Sequence, residues 1–204
     1  MATRVLSSSI ETITFNYGSK HNDRENLAAK KICSAYGIKN TLVRLPFIND
    51  LFASDLLKSG GDVPDGHYED QAMKRTVVPF RNGIMLAIAV GYAESIGAKR
   101  VYLGNHAGDH AIYPDCRADF SAAIAEAARL GTYLGVQIVT PFVSMTKAQI
   151  CALGQTLGTP LSNTYSCYKG GESHCGTCGT CVERMEAFFN AGVPDPTSYL
   201  GDAS

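Results

Sequence analysis

Hydrophobic positions along the chain follow two periodicities. Short runs rich in β-branched residues predict strands at 12–15, 40–45, 100–103 and 136–140. Longer stretches with apolar residues three and four positions apart predict helices at 23–36, 49–57, 79–96, 119–131 and 181–190, and a further helix that follows residues 144–146 and ends at 157. Strands that alternate with helices in this order are typical of a parallel sheet covered on both faces. We therefore predict an α/β fold with a doubly wound parallel sheet.

Local signals set the ends of some of these elements. Pro79 fits the first turn of the helix at 79–96, since it has no backbone N–H to leave unpaired, and Gly97 fits the position after its last turn. Ser144 is the expected N-cap of the helix that follows residues 144–146 and ends at 157. Residues 59–70 contain three glycines and a proline, and this composition predicts a surface loop.

The composition is typical of a folded protein whose positive and negative charges nearly balance. Of the 204 residues, 45% are hydrophobic and 18% are charged, so the chain can bury a core. With 18 basic and 19 acidic residues the net charge is −1, which offers no basic field to a nucleic acid. The longest apolar stretch, 84–93, is too short for a bilayer, and the first residues lack the apolar run of a signal peptide. We expect a cytoplasmic protein that binds neither membranes nor nucleic acid.

Four of the seven cysteines fall between positions 167 and 181, which argues for a metal site. Cys167 is followed after seven residues by Cys175, and then at intervals of two residues by Cys178 and Cys181. Gly176 and Gly179 supply tight turns between them, and four thiolates suit a closed, tetrahedral zinc site.

Two other interpretations of this cluster stay open. A run with two-residue spacings also binds iron–sulfur clusters, although the fourth cysteine then follows downstream before a proline. Four unrelated buried cysteines are the other alternative. Outside the cluster, Cys33 and Cys151 are predicted to lie on the core faces of helices, whereas Cys116 stands among polar residues.

The length of the chain and the position of its clustered cysteines indicate how it divides into domains. A typical domain has about 150 residues, so we expect one domain with an appendage. We assign an α/β domain for nucleotide and substrate to residues 1–160, and a zinc-binding segment with a terminal helix to residues 161–204.

A polar segment, 104–117, follows the predicted strand at 100–103. Ligands of open α/β sheets lie beyond the carboxyl ends of strands. Between positions 106 and 117 this segment holds two histidines, two aspartates, a tyrosine and an arginine. These residues favour a pocket for a polar planar or anionic ligand, and a solvated loop that caps the next helix is the alternative. His106 and Asp109 could also bind a metal, but the sequence shows no third ligand.

A second candidate site lies at the start of the predicted helix 79–96. Arg81 and Asn82 fall in its first turn, where free backbone N–H groups and the helix dipole favour anions. This position predicts contact with a nucleotide. The alternative is that Arg81 is an ordinary surface residue.

Several motifs together resemble one family, the 7-cyano-7-deazaguanine synthases. The motifs are FNYG at 15–18 with His21, GHYE at 66–69, VPFRN at 78–82, GDHAIYPDCR at 108–117, SCY at 166–168 and CVER at 181–184. The similarity extends from about Thr12 to Pro196. It implies an ATP pyrophosphatase with an adenine nucleotide alpha-hydrolase-like fold.

The resemblance also implies an activity and its cofactors. The family converts 7-carboxy-7-deazaguanine, ammonia and ATP into 7-cyano-7-deazaguanine (preQ0) for queuosine and archaeosine biosynthesis. It implies structural zinc on the four clustered cysteines, ATP with Mg²⁺, and a homodimer. Asp109, Asp115 and Arg117 are then the expected substrate-binding residues, because carboxylates accept hydrogen bonds from the N–H groups of a guanine-like edge. No acid or base is assigned.

One departure from the family pattern concerns the N-terminus. The family begins with a strand, an SGGxDS phosphate loop and a helix ahead of the FNYG segment, whereas 11 residues precede Thr12 here. Ser59-Gly60-Gly61-Asp62 resembles that loop but lacks its final serine and its strand–helix setting. We therefore expect impaired ATP binding. The alternative functions are a deazaguanine- or nucleotide-binding protein without catalysis and, less favoured by the charge balance, a tRNA-modifying relative.

Overall fold

Residues 10–67 and 70–200 are described by a computed structural model. Its first strand, β1 (Glu11–Asn16), leads into α1 (Asn22–Ala35), which returns the chain to β2 (Lys39–Arg44). The two strands pair in parallel, with Phe15 beside Val43. A parallel pair needs a crossover of this kind, and a helix supplies it. The chain then continues through the short helix α2 (Pro46–Leu51).

A second strand–helix unit repeats this arrangement. The helix α3 (Arg81–Ser95) precedes β3 (Arg100–Tyr102), and α4 (Ala118–Leu130) leads to β4 (Gln137–Val139). The strands β3 and β4 pair in parallel. Their core is formed by small and β-branched side chains from both helices and both strands, namely Val90, Ala93, Ala128 and Val136, with Ala98, Val101 and Ile138 packed against them.

The remaining helices are α5 (Lys147–Thr156) and α6 (Gly179–Ala191). The chain divides into two compact units, of which one is Pro79–Lys147 and the other joins the residues up to Val78 with those from Ala148 onward. The proposed boundary between residues 1–160 and 161–204 stays a prediction. Within the described ranges, no helix has the length and apolar character needed to cross a membrane.

The parallel α/β class is confirmed, and the described strands form two pairs, β1 with β2 and β3 with β4. Cys33 on α1 and Cys151 on α5 are buried in helices, as predicted. Tyr68 and Glu69 of the GHYE motif lie outside the described residues.

Three local predictions are wrong. The helix predicted at 49–57 is Pro46–Leu51 instead, because Pro46 fixes the first turn and the chain becomes extended at Phe52. The helix predicted from Pro79 begins at Arg81, because Phe80 takes a left-handed backbone conformation. Ser144 is not an N-cap, since it lies in a turn and α5 starts only at Lys147.

Lys20, in the turn after β1, fixes the irregular segment at 54–61. Its ammonium group donates to the backbone carbonyls of Asp55 at 2.7 Å, Leu57 at 2.5 Å and Gly61 at 2.8 Å, with Gly60 at 3.4 Å. Leu56 and Leu57 beside these carbonyls are fully buried. One side chain therefore holds a segment that has no regular secondary structure.

We expect Lys20→Met to destabilise the protein by about 1.5–3 kcal/mol, because hydrogen bonds from a charged donor are worth about that much and the carbonyls would lose their partner. Urea unfolding monitored by circular dichroism measures the change. Lys58→Met is the matched control: its ammonium makes an exposed ion pair with Asp23 at 3.5 Å, worth less than about 1 kcal/mol. Equal losses in the two variants would contradict this role of Lys20.

Candidate metal centre and polar cluster

The four clustered cysteines converge at the start of α6. Their sulfur atoms all lie within 4.8 Å of one another, and Cys167, Cys178 and Cys181 are fully buried. Gly176 takes a positive φ of 77°, which glycine adopts without strain and which turns the chain between Cys175 and Cys178. Tetrahedral zinc with bonds near 2.3 Å places sulfurs about 3.8 Å apart. The Cys175–Cys181 separation of 3.8 Å fits that geometry.

Backbone N–H groups point at the sulfur atoms of Cys167 and Cys175. Cys175 Sγ accepts from the N–H of Thr177 at 3.4 Å and of Cys178 at 3.3 Å, while Cys167 Sγ accepts from Cys175 N–H at 3.4 Å. Hydrogen bonds from the Cys178 and Cys181 thiols lower the pKa of Cys167 to about 3. Since thiolate is the metal-binding form of cysteine, the site could hold a metal ion such as zinc.

Residues far away in sequence enclose the cluster. Val63 is buried against Cys167, Cys178 and Cys181, and the Gly66 N–H donates to the Thr177 carbonyl at 3.1 Å. The segment predicted as a surface loop is thus irregular but not wholly exposed. It is fastened to the cysteine-bearing loop, because Lys169 also binds the Asp65 carboxylate at 2.6 Å.

His174 joins the two halves of the cysteine-bearing loop. Its Nε2 accepts from the Ser166 N–H at 3.2 Å, so the ring hydrogen resides on Nδ1. The ring packs between Tyr165 and Tyr199, with centroids 4.6 and 5.8 Å away. Burial is the main cause that lowers the His174 pKa. The imidazole is therefore neutral at pH 7 and serves as an acceptor.

The polar cluster of Pro79–Lys147 is built from the loop after β3 and the start of α3. Asp115 is buried, and its carboxylate accepts from the Asn82 N–H at 2.8 Å. The Asn82 side chain donates to the Asp115 carbonyl at 3.2 Å and reaches Cys116 Sγ at 3.2 Å. Asn105 donates to the Cys116 carbonyl at 2.8 Å. An N-terminal N–H of α3 is thus occupied by a carboxylate of the same chain.

His106 and Asp109 form a second interaction within this loop. The His106 Nδ1 accepts from the Gly108 N–H at 3.1 Å, and its Nε2 lies 3.1 Å from Asp109 Oδ1 without making a hydrogen bond. Asp109 Oδ2 also accepts from the His106 N–H at 3.3 Å. Both residues thereby cap the turn Ala107–Ala111.

Cys116 marks the centre of the polar cluster. Burial raises its pKa to about 12, with further contributions from the charges of Asp109 and Asp115, and the positive charge of Arg81 opposes the rise. The thiol is therefore protonated at neutral pH. Four residues singled out from sequence, Arg81, Asn82, Asp109 and Asp115, thus lie close enough to Cys116 to bind it or to influence its charge.

The remaining site residue predicted from the sequence is Arg117. Arg117 is exposed and precedes the first residue of α4, where its carbonyl accepts from the Ser121 N–H at 2.9 Å. Roles of Arg81, Asn82, Asp109, Asp115 and Arg117 in binding stay predictions. Sequence reasoning missed Asn105 and His174. Asn105 is the second residue of the polar segment 104–117, and this position was the signal available for it.

Two parallel strand–helix units and a four-cysteine cluster define an α/β protein with a C-terminal segment that could bind a metal. The family model described as "Queuosine biosynthesis protein QueC" matches residues 2–192. This chain belongs to that family, whose fold is nucleotide alpha-hydrolase-like.

Curated relatives bear a common name, 7-cyano-7-deazaguanine synthase. The protein of Porphyromonas gingivalis is 55% identical over 189 residues, which cover 93% of this chain and 86% of the relative. The protein of Desulfotalea psychrophila is 55% identical over 190 residues, or 93% and 87% of the two chains. That of Caldicellulosiruptor bescii is 48% identical over 187 residues, or 92% and 84%.

Proposed function

We propose that this protein is a carbon–nitrogen ligase that converts 7-carboxy-7-deazaguanine and ammonia into 7-cyano-7-deazaguanine (preQ0) at the expense of ATP. The observation that carries this function is the 55% identity over 93% of the chain to a relative named 7-cyano-7-deazaguanine synthase. The aligned region covers 93% of the chain and therefore includes the segments that carry the cysteine cluster and the polar cluster.

The chemistry requires the substrate to be activated twice. ATP adenylates the carboxylate, so that its oxygen leaves with AMP and ammonia forms an amide. A second adenylation on the amide oxygen allows its loss and yields the nitrile. The Arg81 guanidinium, with Mg²⁺, would offset phosphate charge, and Asn82 beside it would contact the nucleotide.

Recognition of the substrate falls to the loop after β3. Asp115 and Asp109 present carboxylates that already accept N–H groups within the protein, and the N–H groups of a guanine-like edge are donors of the same kind. Arg117, exposed beside them, would pair with the carboxylate of the substrate.

We further propose that the four cysteines hold one structural zinc ion per chain. Four thiols without a water or carboxylate ligand suit a closed zinc site. An iron–sulfur cluster would place several irons and sulfides between the thiolates, and sulfur atoms within 4.8 Å of one another leave little room for them. A homodimer in the cytoplasm completes the proposal.

Nitrile formation tests the function directly. Purified protein is incubated with 7-carboxy-7-deazaguanine, ammonium and Mg·ATP, and preQ0 and AMP are quantified by liquid chromatography with mass detection. At whatever rate preQ0 forms, we expect two AMP for each preQ0, since each activation releases one. Binding of the deazaguanine acid without any AMP release would instead support the non-catalytic binding protein.

A further inference from the structure

Phe80 has an unusual backbone conformation. With φ of 53° and ψ of 26° it lies in the left-handed region, and among the residues described it is the non-glycine residue with positive φ. A side chain is disfavoured there and glycine is not. Such outliers persist when the surrounding structure holds them, and they concentrate at ligand-binding positions.

The Phe80 side chain is fixed although it is 59% exposed. Its ring lies against the backbone of Gly83, where an added Cβ would sit 2.5 Å from the ring atom Cζ. The ring of Phe120 meets it at 5.8 Å with an angle of 89° between the planes. Gly83 thus leaves room for the ring, and Phe120 supports it. The ring therefore packs against two neighbours and still exposes more than half of the residue to solvent, whereas burial in a core would hide it.

Phe80 precedes residues of the polar cluster along the chain. Arg81 and Asn82 follow Phe80 directly, and the Asn82 N–H binds the Asp115 carboxylate at 2.8 Å. A planar base stacked on the ring would lie beside groups that accept and donate hydrogen bonds. Aromatic side chains bind bases in this way because each base has a π-face.

We propose that Phe80 is a stacking platform for a fused heteroaromatic base. This inference rests on the proposed function, which supplies two such bases: the deazaguanine of the substrate and the adenine of ATP. Glycine would make the backbone more stable at this position. The protein tolerates the free-energy cost of a left-handed phenylalanine because the residue presents an aromatic ring there.

One variant separates the effect of Phe80 on the stability of the protein from its effect on ligand affinity. Phe80→Gly relieves the backbone strain and removes the ring, so its unfolding temperature should equal or exceed that of the wild type. Its affinity for the base should fall by about tenfold to a hundredfold, as expected for the loss of one stacked base. Phe80→Tyr retains the aromatic face and should bind within about threefold of the wild type.

Titration calorimetry with 7-carboxy-7-deazaguanine and, separately, with AMP tells which base is stacked, because only that ligand should lose affinity. Unchanged affinity for both ligands in Phe80→Gly would overturn the inference, and so would an equal loss in Phe80→Tyr. A dimer that dissociates in Phe80→Gly with unchanged affinity would overturn it too, since the ring would then be a contact between protomers. A wild-type protein that binds neither ligand would contradict the proposed function as well.

Discussion

Cys178→Ser is expected to lose the bound metal and to unfold the C-terminal region of the protein. The Cys178 sulfur is fully buried at the start of α6, and a serine hydroxyl is a poor zinc ligand. Structural zinc contributes a binding free energy of about 10–16 kcal/mol, which is also folding free energy because the unfolded chain has no preformed site. This is the largest effect that we predict for a single substitution.

Elemental analysis of the purified protein measures the metal, and hydrogen exchange locates the unfolding. The wild type should contain about one zinc per chain and negligible iron. Cys33→Ser is the matched control: Cys33 is also buried, but it lies on α1, where its sulfur is 3.2 Å from the Thr12 hydroxyl. It should keep the metal. Stoichiometric iron with acid-labile sulfide in the wild type would contradict the assignment of zinc.

Asp115→Asn is expected to weaken binding of 7-carboxy-7-deazaguanine by about 2–5 kcal/mol, as is typical when one partner of a buried charged interaction is removed. The fold should survive, because the asparagine carbonyl can still accept the Asn82 N–H that the carboxylate accepts now.

Arg117→Ala should weaken binding of the same ligand through loss of its charge. Titration calorimetry measures both affinities, and thermal unfolding checks the fold.

Asp119→Asn provides the comparison for this experiment. Asp119 is an exposed carboxylate in the first turn of α4 that accepts its neighbour's N–H at 2.9 Å. The same chemical change there should leave the affinity within about twofold, since a surface charge is screened by solvent. If Asp115→Asn and Arg117→Ala both bind like the wild type, the assignment of the substrate pocket to this loop is wrong.

Local patterns in the sequence predicted most of the regular elements. The crossover from β1 through α1 to β2 follows from periodic patterns in consecutive stretches of the chain. Two spacings of two residues likewise bring Cys175, Cys178 and Cys181 together. These features depend on periodicity and short spacings, which a sequence displays directly. The cysteine cluster was therefore predictable in full, including its upstream member Cys167.

Contacts between distant positions could not be predicted in this way. No short pattern connects Lys20 with the carbonyls at 55–61, Val63 with the cysteines, or Asn82 with Asp115. The position of Phe80 also escaped prediction, because intrinsic propensity opposes a left-handed phenylalanine and Pro79 suggested an ordinary helix start. Both the long-range contacts and the Phe80 backbone depend on tertiary structure, which a short stretch of sequence does not display.

The division of the chain into units has a consequence for its synthesis on the ribosome. Pro79–Lys147 is contiguous and contains all the residues of its own core, so it can fold as soon as it has emerged. The other unit is split around it: Val63 must wait for Cys167, Cys178 and Cys181, more than 100 residues later. At about 5–20 residues per second, the early half stays open for some 5–20 seconds. During that interval Val63 stays without its packing partners, and the four cysteines can come together only after Cys181 has emerged.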